Sequence, residues 1–253
     1  MQLKRGPARH RGFTLTELAV VFAIVALLIG GAMMTLSAQV EQRNQDETRR
    51  RLGAAVDALI AFAIVNRRLP CPAVAATTGD ESPAGGACTT YYGGFLPARS
   101  LGLQETDPQG YALDTWGNRI RYVVSNALTG CTGTSTLPHF TSQANLKANG
   151  VSCRPNDLDV CQSATGTTAA SCNTAARAAS VETIALLVFS TGKNGSVATA
   201  YGADESANVD ANAVFVSRTP SGADAAVGTY DDIMLWVPAG VLYSKLIAAG
   251  VLP

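Results

Sequence analysis

Glu17 is a carboxylate at the head of an apolar run: from Leu18 to Val40 the chain holds no charged residue. Placing an ionised carboxylate in a low-dielectric segment costs a few kcal/mol, roughly, so such a group usually has an opposite charge to meet. A second set of acids, Asp204, Glu205, Asp210, Asp224, Asp231 and Asp232, is spread among Gly, Asn and Ser late in the chain. Hard cations take oxygen ligands from flexible loops. Asp204, Asp210, Asp231 and Asp232 are therefore candidate calcium ligands, with a solvated acidic loop as the plain alternative. No EF-hand spacing is present, and no other cofactor is expected.

The six cysteines are Cys71, Cys88, Cys131, Cys153, Cys161 and Cys172. None forms a C-x-x-C pair, and His139 is the one histidine among them, which argues against zinc. An even number downstream of an apolar segment reads as disulfides in an oxidising compartment. Cys71–Cys88 is the first pair expected, because it closes a Pro/Gly-rich loop; the other four stay unassigned.

Two enzyme readings are weaker. Ser190-Thr191-Gly192-Lys193 fits the S-x-x-K nucleophile pattern, but the companion S-D-N and K-T-G motifs are absent and Ser190 falls at the end of a strand. His139 sits in a cysteine-rich polar region with nothing to place a nucleophile beside it, and reads as a surface histidine. No catalytic residue is assigned, and the chain is not expected to be an enzyme.

These residues need elements to position them. No proline interrupts Phe13 to Arg68, and Leu52, Val56, Leu59, Ile60 and Ile64 recur on one helical face. One long helix is expected, apolar over 13–40 and amphipathic over 41–68, with Gly30-Gly31 and Gly53 as points of bending and an end before Pro70. The apolar half is long enough for a ~30 Å hydrocarbon core. Lys4, Arg5, Arg9 and Arg11 ahead of it predict a cytoplasmic N-terminus and an outward-facing domain over 69–253. A cleaved secretory signal would have a shorter core and a better small-x-small site than Leu36-Ser37-Ala38.

In that domain, Asp114-Thr115-Trp116-Gly117-Asn118 reads as a turn with Trp116 as a core anchor. Ile120, Tyr122 and Val124 alternate as in a half-buried strand. Residues 129–180 are rich in Thr, Ser, Ala, Asn and Gly and read as a long surface insertion stapled by disulfides. Ile184–Phe189, Ala213–Val216 and Ile233–Val237 are strands, and Pro238-Ala239-Gly240 opens a last helix that ends at Gly250. The sum is an α+β arrangement, a long helix against an antiparallel sheet meander.

Arg11-Gly12-Phe13-Thr14-Leu15-Thr16-Glu17, with its basic leader and uncharged run, resembles the N-terminal signal of type IV pilins and of the pseudopilins of type II secretion. The resemblance implies a pilin fold and a leader over 1–12. It also implies cleavage after Gly12 by a prepilin peptidase, N-methylation of Phe13, and pairing of Glu17 with the N-terminal amine of a neighbouring subunit. The implied partners are the peptidase/N-methyltransferase, other pilin or pseudopilin subunits, an inner-membrane assembly platform and membrane lipid. The implied place is the inner membrane, single-pass with a periplasmic domain, and a filament after assembly. Asp114-x-Trp116-Gly117-Asn118 resembles a stretch of pseudopilin globular domains. Asp232-Ile233-Met234-Leu235-Trp236 resembles the ending that follows a calcium loop in major pseudopilins. The length of the chain suits a minor or tip subunit, and a tip binding module, an adhesin or a DNA-uptake subunit, is the alternative.

Charge limits the binding classes. From Pro70 onward there are nine basic and fourteen acidic residues. That balance lacks the basic footprint of a nucleic-acid binder.

Overall fold

The computed structural model describes residues 14–74, 78–127, 131, 137–179, 183–222 and 224–252, apart from the side chains of 31–36 and 198. The leader, with Gly12 and Phe13, lies outside the described residues. α1 runs over Leu15–Asn66. It passes Gly30, Gly31 and Gly53 without interruption. Arg67 ends it in the left-handed region (φ 55°), which stops the intrahelical hydrogen bonds before Pro70 is reached.

The chain divides into two compact units, Met1–Asn44 and Gln45–Pro253. In the first, the large apolar side chains are exposed, Leu27 by 79%. Among the described residues no helix is long and apolar enough to cross a membrane. The side chains of residues 31–36, in the middle of the run expected to span a membrane, lie outside the described residues.

The second unit is built in layers. The central sheet joins β1 (Gly94–Phe95), β2 (Arg121–Val124), β5 (Ile184–Ser190) and β7 (Ile233–Pro238), all antiparallel, in the order β1-β2-β5-β7. On one face Tyr122, Val124, Leu186 and Val188 pack with Leu52, Leu59 and Ala63 of α1 and with Leu242 and Leu246 of α4 (Ala239–Ala248). On the other face Val123, Leu187 and Phe189 pack with Val160 and Phe215. Burial on both faces explains why β5 reads as an unbroken apolar run. The stripe on α1 differs slightly from the expected one. Ala55 and Ala63 are fully buried while Val56 and Ile64 are partly so, since small residues let the helix approach the sheet closely.

Val160 and Phe215 belong to a second sheet, β4 (Arg177–Ala179), β3 (Asp159–Cys161) and β6 (Val214–Val216). Here β3 and β6 run parallel, Cys161 opposite Val216, so the strand expected at Ala213–Val216 is not part of an antiparallel meander. The insertion is not a surface loop either. It buries His139, Phe140, Leu146, Leu158 and Val160, and α2 (Gln143–Asn149) is capped by Ser142, whose Oγ accepts Asn145 N–H at 3.2 Å. Cys71–Cys88 is bonded as expected, and the other pairs are Cys131–Cys153 and Cys161–Cys172. The fold is α+β, with an N-terminal helix, an antiparallel sheet and disulfides. Its polar middle region contributes a layer of core that low periodicity concealed.

Candidate functional site

Two places carry functional side chains. At the head of α1, Thr14 and Glu17 cap the helix reciprocally. Thr14 N–H donates to Glu17 Oε2 at 2.9 Å, and Glu17 N–H donates to Thr14 Oγ1 at 3.2 Å. This T-x-x-E box satisfies two of the free donors of a helix start. In the single chain the Glu17 carboxylate is thus held by Thr14. Thr14-Leu15-Thr16-Glu17 has the capping-box spacing, so the pairing could have been read from the sequence.

The second place is where β5 ends and β7 begins. Ser190 lies opposite Ile233, so the turn after β5 meets Asp231 and Asp232 just ahead of β7. Gly192 is left-handed (φ +65°), and a Cβ there would stand 2.0 Å from Asp231 Oδ1. The glycine thus lets Asp231 lie over the turn, where Oδ2 accepts the Lys193 and Asn194 N–H groups at 3.1 and 3.3 Å. The short helix α3 (Ala203–Ala207) brings Glu205 to the same spot. Glu205 Oε2 accepts Gly202 N–H at 2.8 Å and Asn194 Nδ2–H at 2.9 Å, and Oε1 accepts Asp231 N–H at 2.8 Å. Asp232 Oδ2 accepts Asn208 Nδ2–H at 2.7 Å.

The three carboxylates of Glu205, Asp231 and Asp232 offer oxygens that all lie within 4.8 Å of one another. Glu205 is 1% exposed and Asp232 4%. Three buried oxygens beside them, Asp231 Oδ1, Asp232 Oδ1 and Asn194 Oδ1, receive no hydrogen bond. Burial pushes Asp232 up to about 8, and the nearby Glu205 and Asp231 carboxylates push in the same direction. Burial, then Glu205, push Asp231 up to about 6. Crowded acids short of hydrogen-bond donors form a site that a hard cation would complete, and its oxygen-only donor set suits calcium.

The other expected ligands sit elsewhere. Asp204 Oδ2 accepts Arg218 Nε–H at 2.5 Å, and its Oδ1 accepts Ala164 N–H. Asp210 is exposed and accepts the Asn212 N–H and Nδ2–H of its own turn. Glu205, Asn194 and Asn208 were not singled out as site residues, because 26 positions separate Glu205 from Asp231 and no periodicity links them. Asp159, Cys161 and Cys172 also cluster, but both cysteines are in a disulfide and Asp159 pairs with Arg177.

Ser190 is buried; its Oγ donates to Asp114 Oδ2 at 2.6 Å and accepts Gly192 N–H at 3.1 Å. Asp114 also takes the Trp116 and Asn118 N–H groups, and Asn118 Nδ2 donates to Gly192 O at 2.6 Å. The D-x-W-G-N turn therefore braces the loop under the carboxylates, with Asp114 rather than half-buried Trp116 at its centre. His139 is not a surface histidine. It is fully buried, its Nε2 3.1 Å from Tyr243 Oη, and burial pushes it down to about 4.

Residues 7–33 match the prokaryotic N-terminal methylation motif, the hallmark of type IV pilin and pseudopilin precursors. No curated protein and no solved structure matches the chain.

Proposed function

We propose that the chain, as the bearer of a prepilin-type N-terminal motif, is a pilin-like structural subunit. It is a minor pseudopilin or minor pilin, cut after Gly12, methylated on Phe13 and assembled through α1 into a filament that crosses the periplasm. The observation that carries this reading is the methylation motif over residues 7–33, with Glu17 in its place. In the assembled state the Glu17 carboxylate exchanges its Thr14 partner for the free amine of a neighbouring subunit. A pair of opposite charges in low dielectric is far stronger than a neutral hydrogen bond. The uncharged run Leu18–Val40 anchors the subunit in the inner membrane before assembly.

Mass spectrometry of the N-terminus, after expression with and without a prepilin peptidase, tests this. A start at methylated Phe13 only with the peptidase is the expected result. An intact leader in both cases overturns it.

The cluster of Glu205, Asp231 and Asp232 favours a second reading of the same subunit, as a calcium-binding one. It rests on Asp232 Oδ1, a buried carboxylate oxygen with no donor. A bound cation would supply the charge that these oxygens lack. Titration calorimetry of the full chain in detergent checks it: calcium binds the natural chain and not Asp232→Asn. Equal heats for both would remove the site.

A further inference from the structure

We propose that the loop closed by Cys161–Cys172 positions the carboxylate cluster, so that cation binding and the opening of this one disulfide are linked. The proposal rests on the cation reading above.

Glu205 sits in a helix of five residues, too short to hold itself. Its neighbour Asp204 does the holding. Asp204 Oδ1 accepts Ala164 N–H at 2.7 Å and Ser163 Oγ–H at 3.4 Å, and Oδ2 accepts Arg218 Nε–H. Ser163 and Ala164 lie inside the loop that Cys161–Cys172 closes. The base of that loop is fixed by Asp159, fully buried, which accepts Cys172 N–H at 2.8 Å and Arg177 Nε–H at 3.0 Å.

A second strut reaches Asp232. Asn208, one residue past α3, donates from Nδ2 to Asp232 Oδ2 and to Val216 O, and its Oδ1 accepts Val216 N–H at 2.7 Å. Val216 lies opposite Cys161 in the parallel pair, and Ser217 N–H donates to Cys161 O at 2.9 Å. Glu205 and Asp232 thus both hang from residues close to Cys161. Cys71–Cys88 shares none of these contacts; Cys71 N–H bonds to Glu81 instead. Cys71–Cys88 therefore serves as the control within the same chain.

Linkage is reciprocal. A cation that ties Glu205 to Asp231 and Asp232 also holds Asp204 against Ala164, and so keeps the loop closed. Cys161 and Cys172 are both fully buried, so a thiol reaches them only when the loop opens. Each opening consumes one dithiothreitol, which leaves as its cyclic disulfide, and yields two cysteine thiols.

The experiment uses the full chain in detergent micelles, with dithiothreitol, in calcium or in chelator. Free thiols are alkylated over time and assigned by mass spectrometry. Calcium is expected to slow opening of Cys161–Cys172 by about tenfold or more, a typical size for coupling between sites, and of Cys71–Cys88 by less than about twofold. Equal slowing of both, or no slowing although calorimetry shows calcium bound, overturns the proposal. If calcium does not bind the natural chain, the cation reading itself fails and this proposal falls with it. As a second measurement, C161S/C172S should lose about tenfold or more in calcium affinity while C71S/C88S keeps it within about twofold. Should C161S/C172S not fold, the thiol kinetics of the natural chain still decide.

Discussion

The unit Met1–Asn44 and the unit Gln45–Pro253 put their chemistry in place by different means. In the first, Thr14 and Glu17 meet because they are three residues apart across the start of one helix. In the second, Glu205 meets Asp231 across 26 positions, through a helix of five residues, a turn with a left-handed glycine and the edge of a sheet. Chemistry set by local spacing is written in the sequence itself. Chemistry set by tertiary closure depends on which strands pair, and only the folded chain determines that. The first kind should be sensitive to single side chains and indifferent to the core, and the second should depend on the core.

The sharpest test of that contrast is at Glu17. Glu17→Gln keeps an oxygen for Thr14 N–H and removes the charge. Membrane insertion should be unchanged and incorporation into filaments lost almost completely, read by electron microscopy or by co-purification with partner subunits. Normal assembly by the variant would mean that the capping box, not a charge pair, is what Glu17 is for.

Helix α1 offers a comparison within one element. Leu59 is 0% exposed against the sheet, whereas Leu27 is 79% exposed. Leu59→Ala should destabilise the second unit by about 2–5 kcal/mol, the usual range for a buried leucine. Leu27→Ala should leave the melting temperature of that unit unchanged. Thermal unfolding of the two variants in the same detergent checks both, and an equal shift would show that the two units do not unfold independently.

Legibility followed the same division. The long helix, the D-x-W-G-N turn, the strand at Ile184, the last helix and the Cys71–Cys88 pair all rest on local signals: periodicity, turn residues, a Pro/Gly-rich loop. Of the second sheet only β6 was read, as the strand at Ala213–Val216; β3 and β4, three residues each, are too short to show a period and were missed. Reading residues 129–180 as surface followed from their polar composition. Yet Phe140, Leu146, Leu158 and Val160 are buried, held there by two disulfides and the parallel pairing of β3 with β6. For the cation site the right stretch of acids was visible. Asp204 could not be told from Glu205, however, because one faces Arg218 and the other Asp231 from adjacent positions of a single helical turn.

Calcium should separate the units again, at a smaller scale. At a hundred times its dissociation constant, a ligand of the folded state adds about 2.7 kcal/mol. Calcium should therefore raise the melting temperature of the natural chain over that in chelator. Asp232→Asn should melt higher than the natural chain in chelator, because it no longer buries a carboxylate oxygen without a donor, and should show no calcium increment. No difference between calcium and chelator for the natural chain would refute the site.

The smallest effect comes from His139. Burial holds it at about 4, against 6.5 for a free histidine, so the fold contains the neutral ring. The groups packed on it are the Tyr243 hydroxyl and the Phe140 ring, neither of which offers an opposite charge. Its contribution to stability is fully present above pH 6.5 and is lost as pH falls through 4, because over that window the unfolded chain takes up a proton that the fold refuses. The slope is at most about 1.4 kcal/mol per pH unit. Asp231 and Asp232 act in the opposite sense. Raised from 3.8 to about 6 and about 8, they stay protonated in the fold where the unfolded chain has let go, so their contribution fades as pH rises through those values. The two trends oppose each other between pH 4 and 6.5, and the raw profile of the natural chain is flattened there. The difference between the natural chain and His139→Gln, measured by urea unfolding in chelator, isolates the histidine: it should grow from pH 4 to 6.5 and be constant above. A difference independent of pH would mean that the ring titrates in the fold as it does in the unfolded chain, and that burial does not hold it neutral.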